Sequence, residues 1–167
     1  GAGRDITFDA VDLALAIPDF TGPARLTGSA MVSGQKVGVS AEVGVFSAFT
    51  EGRVVPLTLE ATAGKAVAGF SGRGGWQPMV AEGALDADLS DLAAVAAVFG
   101  AAAPDLPAGL GRETLALSGA LTLDGSGAVF LRSASIRADG NELTGDLDLK
   151  PGKDRPLLTA RLSAPAL

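Results

Sequence analysis

Cysteine and histidine are both absent from this 167-residue chain. Without cysteine there is no disulfide, no thiolate nucleophile and no zinc–thiolate site. Without histidine, the commonest general base and the commonest metal ligand are missing too. The lack of cysteine fits an oxidising compartment. Positive charge is sparse: 13 basic residues against 19 acidic ones leave a net charge of −6, and the basic ones are scattered (Arg4, Arg25, Lys36, Arg53, Lys65). Nucleic acid is therefore not an expected partner, because displacing counterions from phosphates needs a basic stripe. An electrostatic hold on anionic membrane surfaces is not expected either. No run approaches the roughly 18 apolar residues of a membrane-spanning helix. The opening Gly1-Ala2-Gly3 lacks the basic and apolar regions of a leader peptide and is expected to be a cut end.

What the chain does have is apolar surface and turns. Hydrophobic residues make up 47% and charged residues 19%, which argues against disorder. The 23 glycines and 9 prolines suit many short strands joined by tight turns. The length is enough for one domain with a core, or for a segment of something longer.

Apolar residues recur at a period of two along most of the chain, predicting strands. The first covers 6–17, with a change of phase at Ala10-Val11 that predicts a bulge. Strands 25–32 and 36–45 pair across the loop Ser33-Gly34-Gln35, and 47–52 is a break. Further strands are expected at 54–61 and 65–71, the latter closed by Gly72, Gly74 and Gly75 with Trp76 just beyond, and at 80–89. After a change of period, strands resume at 114–123, 128–137, 141–149 and 157–162. Asp139-Gly140 is a hairpin signal, because a type I′ turn needs positive φ at both central residues. In the interrupted region Leu92, Val95 and Phe99 share a helical face in an alanine-rich stretch. One short helix is predicted over 91–99, with Ser90 as N-cap and Gly100 at its end. Helix 90–100 and loop 101–111 then divide a single domain, 1–167, into two β halves. The fold class is mainly β: a strongly twisted antiparallel sheet of about ten strands, open as a groove. The alternative is a closed β-sandwich, as in adhesin modules.

A short phrase recurs as Leu26-Thr27-Gly28-Ser29-Ala30, Leu117-Ser118-Gly119-Ala120-Leu121 and Leu143-Thr144-Gly145-Asp146-Leu147, with a looser copy at Phe70-Ser71-Gly72. Glycine weakens a strand unless the sheet coils sharply or another backbone comes close, so the repetition predicts a strongly curved sheet.

These phrases carry a resemblance. Leu26 to Val37, with its strand, small-Gly-Gln turn and return strand, resembles the hairpin of AsmA-family proteins. Leu89-Ser90-Asp91-Leu92-Ala93-Ala94-Val95 resembles that family's strand-to-helix step, and 115–149, ending in Gly140-Asn141-Glu142-Leu143-Thr144-Gly145-Asp146-Leu147, is similar to its C-terminal hairpins. The resemblance spans roughly 6–162 and implies a periplasmic segment of an inner-membrane-anchored protein. It also implies a groove-shaped β structure serving lipid transport or outer-membrane assembly, with lipid acyl chains or other envelope proteins as partners. The family's N-terminal anchor is not in this chain, and no residue that the family marks as catalytic is carried over.

Several constellations invite chemistry. Asp86, Asp88 and Asp91 suggest a calcium site, but alternation puts the first two on a solvent face and the third in a helix first turn. Asp124-Gly125-Ser126-Gly127 reads as a turn, since no helix follows to supply phosphate-binding amides. A serine–lysine pair would need a buried lysine, whereas Lys36, Lys65, Lys150 and Lys153 sit at turns or strand ends. Glu60 with Glu82 would suit glycoside cleavage only if they met. Trp76 reads as an anchor more than as a sugar platform. No catalysis, cofactor or metal is expected.

One-sided apolar stripes remain: Leu115, Leu117, Leu121 and Leu123, then Leu143, Leu147 and Leu149, then Leu158 and Leu162. One short helix leaves most of such a face uncovered. The expected function is a non-enzymatic apolar groove for acyl chains, with Leu117, Leu121, Leu143, Leu147 and Leu158 as lining candidates. They are chosen as alternating residues on adjacent central strands. Ten strands at about 4.8 Å spacing reach roughly 45–50 Å, about one bilayer thickness. The alternative is a structural or protein-docking module.

Overall fold

The computed structural model of the chain describes residues 8–165. The strands are β1 (Phe8–Ala16), β2 (Ala24–Val32), β3 (Gln35–Val43), β4 (Val55–Ala63), β5 (Ala66–Trp76), β6 (Met79–Asp88), β7 (Leu115–Asp124), β8 (Val129–Ala138), β9 (Asn141–Lys150) and β10 (Leu157–Ser163). All ten form one antiparallel sheet in chain order, β1 through β10, and the sheet is not closed. The mainly β, ten-stranded open sheet is thus the observed architecture, and the sandwich alternative is not. Residues 6 and 7 of the first expected strand lie outside the described residues.

Turn chemistry sets this meander. Ser33-Gly34 and Asp139-Gly140 both carry positive φ at their two central positions (50° and 82°, 50° and 85°), the type I′ geometry whose twist matches the flanking strands. The bulge expected near Ala10-Val11 is present: the β1–β2 register shifts between Asp9 and Asp12, and Ala10 has φ 49°. A second bulge, at Ser133 with φ 50°, shifts β8 against both neighbours.

Three local expectations are corrected. Gly72, Gly74 and Gly75 do not close β5; the strand runs through them to Trp76, paired with Met79. The break at 47–52 contains a helix, α1 (Phe46–Thr50), so there are two short helices among the described residues. Finally, α2 (Leu92–Val98) is capped by Asp91, not Ser90. Asp91 accepts from the Ala94 amide with one carboxylate oxygen and from the Lys65 amide of the β4–β5 turn with the other. Those amides hold its pKa below the usual carboxylate value, the Lys65 amide contributing most. Ser90 instead accepts from the Leu115 amide, pinning the start of β7. In the chain, α2 and loop 101–111 separate β6 from β7, yet in space those strands pair from Val80–Asp124 to Asp88–Ala116.

The backbones of β5 and β6 come close on one face of the sheet. Gly72 and Gly83 are direct partners. A Cβ on Gly72 would lie 2.1 Å from the Glu82 carbonyl oxygen, and one on Gly83 would lie 2.3 Å from that of Ser71. No side chain fits between backbones that close, so glycine is required at both positions. Gly119, from the repeated phrase, lies on the same face, where a Cβ would meet Leu131 at 2.8 Å. The fold is correspondingly open. Its surface is 10474 Å², against about 7,500 Å² expected for a compact monomer of this mass.

Loop 101–111 is tied down by one carboxylate. Asp139, in the β8–β9 turn, accepts from the amides of Thr114 and Glu113 (both 2.8 Å), Arg112 and Gly109 (both 2.9 Å) and Gly111 (3.0 Å). Led by the Thr114 amide, these bonds hold its pKa down to about 2 from 3.8. A depressed folded-state pKa adds stability above the unfolded value and loses it as pH falls through the folded one. Amide exchange at Gly109 and 111–114 should therefore stay protected from neutral pH to about 4 and lose protection between about 4 and 2. Asp139→Ala should abolish that protection at every pH while leaving the β-sheet amides slow. Unchanged exchange in the variant would refute the tether.

Candidate functional site: the apolar face

Paired residues in an antiparallel ladder share a face, so the register assigns every strand residue to one side. One side is apolar on all ten strands. In one row, Ala24 (β2), Val43 (β3), Leu57 (β4), Gly72, Gly83, Leu121 (β7), Leu131 (β8), Leu147 (β9) and Ala160 (β10) follow one another. The next row along β4–β6 is Leu59, Phe70 and Leu85. Every ionisable strand residue falls on the opposite side; Asp12, Glu60, Asp86, Arg132, Asp148 and Arg161 are examples. The clearly polar side chains among the paired residues of the apolar side are Gln35, at the start of β3, and Asn141, at the start of β9.

Both helices sit at the edges of this face. α1 closes one end over β2–β4, where Ala24, Val43, Ala48 and Val55 form a buried cluster with Phe46, Phe49 and Leu57 around it. Trp76 is 44% exposed, and its Nε1–H donates to the Phe49 carbonyl at 2.6 Å, anchoring α1 to β5. That is an anchor, as expected, but on a half-open surface and within a strand. α2 lies at the opposite end over β3–β5. A hollow of about 240 Å³ remains beneath it, lined by Val37, Ala61, Ala66, Val95, Val98 and Phe99.

The five candidate leucines all lie on the apolar face, but not as neighbours. Leu117 and Leu121 are on β7 and Leu143 and Leu147 on β9, with β8 between them; Leu158 is on the edge strand β10. The expectation of adjacent central strands is thus corrected. β8 supplies the missing links: Ile136 pairs with both Leu117 and Leu143, and Leu131 with both Leu121 and Leu147. Alternation alone missed these two because the Ser133 bulge shifts the phase between them. Leu158 pairs with Leu149 at the rim. Leu117, Leu121 and Leu147 are half-buried by neighbouring side chains, whereas Leu143 and Leu158 are exposed.

A larger hollow, about 580 Å³, lies on the polar side among Asp86, Asp88, Ser118, Ser135 and Arg137. Asp88 there accepts from the Ser90 amide, and Ser135 donates to Glu142 at 3.0 Å. Asp91 serves α2, so the three aspartates of the suggested calcium cluster do not converge; among the described residues no group of acidic side chains is arranged to hold a metal ion. Glu60 and Glu82 stand on β4 and β6 in different rows, opposite Gly69 and Arg73 of the strand between. Asp124 closes a local turn by accepting from the Ser126 amide and hydroxyl. We take the apolar face as the site, because it is continuous across the sheet while the polar hollow spans only parts of β5–β8. No helix of the described residues is long and apolar enough to cross a membrane. Comparison with protein-family models, curated proteins and solved structures finds no match to this chain.

Proposed function

We propose that the apolar face is a groove for lipid acyl chains, and that the chain is a non-enzymatic, periplasmic section of an AsmA-like, inner-membrane-anchored protein in lipid transport or outer-membrane assembly. One observation carries the reading: ten strands contribute an uninterrupted apolar side, and the packing partners of the two helices lie on β2–β5. That leaves the apolar side of β6–β10 without a helix over it. Exposed apolar surface on that scale marks an interaction site. Acyl binding asks little beyond area, at about 0.8 kcal/mol per buried CH₂, which suits a face without a charged side chain. Acyl chains lying along this face would leave their head groups at its rims.

The test is direct. Chain purified without detergent should release phospholipid or fatty acid in native mass spectrometry. A photoreactive residue at Leu121 or Leu147 should crosslink to lipid, and one at Thr122 or Asp148, on the polar side, should not. Crosslinks only to envelope proteins would replace this reading with the docking one, and crosslinks to neither would leave the groove without an occupant.

A further inference from the structure

We propose that the hollow beneath α2 is a pocket for the methyl end of an acyl chain, and that it limits the chain length the apolar face accepts. The inference deepens the acyl-groove reading and rests on it. The hollow measures about 240 Å³, whereas an apolar cavity of about 150 Å³ already stays dry and takes up benzene. Voids of that size are rare in packed protein, because the atoms lining them forgo dispersion contacts.

The residues show how the space arises. Its floor is alanine, with Ala61 and Ala63 of β4 paired to Ala68 and Ala66 of β5. One row further along the same side of these strands stand Leu59 and Phe70. Its roof is Val95, Val98 and Phe99. α2 is pinned at its first turn, where Asp91 accepts from the Lys65 amide and Ala94 is buried against the β4–β5 turn at Gly64. That contact closes the hollow on the turn side. Beyond it the small floor residues leave room under Val95 and Val98, and Phe99 stays 58% exposed.

The lining selects an alkyl occupant. Among the described residues around the hollow only Thr62 has a polar side chain, and the register puts it on the opposite side of the sheet, beside Gly38. A protein segment entering here would bring backbone N–H and C=O groups to walls without a side-chain partner for them, which is costly. An alkyl chain brings no such group. Ala61 and Ala68 border the Leu59–Phe70 row, so the hollow continues the apolar face along β4 and β5. A chain lying on that face would enter methyl end first, because its carboxylate or head group must stay in water.

Saturated fatty acids of increasing length, titrated into the chain by calorimetry, test the pocket. Affinity should rise about fourfold per added CH₂ until the methyl end reaches the β4–β5 turn, and then level off. Ala61→Leu should shift that limit to chains shorter by about three carbons, the number it adds to the floor. Ala61 is exposed, so the variant should melt no lower than the unmodified chain. In the unmodified chain, a fatty acid with a diazirine at its last carbon should label Ala66, Val95 or Val98. One with the diazirine beside the carboxylate should label none of them. A fatty acid that binds but labels only residues outside the hollow with its last carbon overturns the pocket and spares the groove. So does a length limit that Ala61→Leu leaves in place. A photoreactive residue at Val98 that crosslinks only to protein makes the hollow a docking site instead, and an unmodified chain that binds no fatty acid ends the groove reading together with the pocket.

Discussion

Gly72→Ala should lower the melting temperature by roughly 6–12 °C, whereas Gly69→Ala, three residues earlier on the same strand, should leave it unchanged or slightly raised. At Gly72 the added methyl meets the Glu82 carbonyl at 2.1 Å and the Gly83 Cα at 2.6 Å. Both are backbone, so no rotamer change relieves the contact, and β5 must move away from β6. Overpacking of this kind costs about 3 kcal/mol. At Gly69, on the polar side, nothing lies within 3.9 Å of the new Cβ, so the substitution mainly removes freedom from the unfolded chain, worth about 0.4–1 kcal/mol. Thermal unfolding followed by circular dichroism separates the two. Equal melting temperatures would mean that the β5 and β6 backbones are not this close at the Gly72–Gly83 pair.

A carboxylate on the apolar face should abolish lipid binding at little cost to folding where the replaced leucine is exposed, and at growing cost where it is packed. Leu143→Asp and Leu158→Asp replace residues that are 38% and 65% exposed. They should fold with wild-type circular dichroism and retain less than about a tenth of the bound lipid, because a carboxylate against acyl chains goes unsolvated. Leu121→Asp and Leu147→Asp, half-buried, should lose lipid and some stability together. Leu131→Asp is the folding control: at 5% exposure it should unfold this half of the sheet. Lipid retained by all four groove variants, or unfolding in every one of them without lipid crosslinks in the wild type, would end the acyl-groove reading.

Strand alternation was legible in the residues because it is local: each apolar–polar step is set by the pleat, and turn pairs such as Asp139-Gly140 carry their own backbone requirement. The sequence alone therefore determined ten strands, their antiparallel sense, the α2 region and the apolar character of Leu117, Leu121, Leu143, Leu147 and Leu158. Tertiary structure decided what depends on contacts distant in sequence. The choice between open sheet and sandwich turned on β6 pairing with β7 across 26 intervening residues, from Leu89 to Thr114. Gly72 read as the end of a strand because its reason lies on another strand, at the Glu82 carbonyl. α1 went unseen because five residues with no side-chain cap hold a helix only by docking Phe46, Ala48 and Phe49 against β2–β4. Leu131 and Ile136 were hidden by the Ser133 bulge, whose position between them changes which residues share a face.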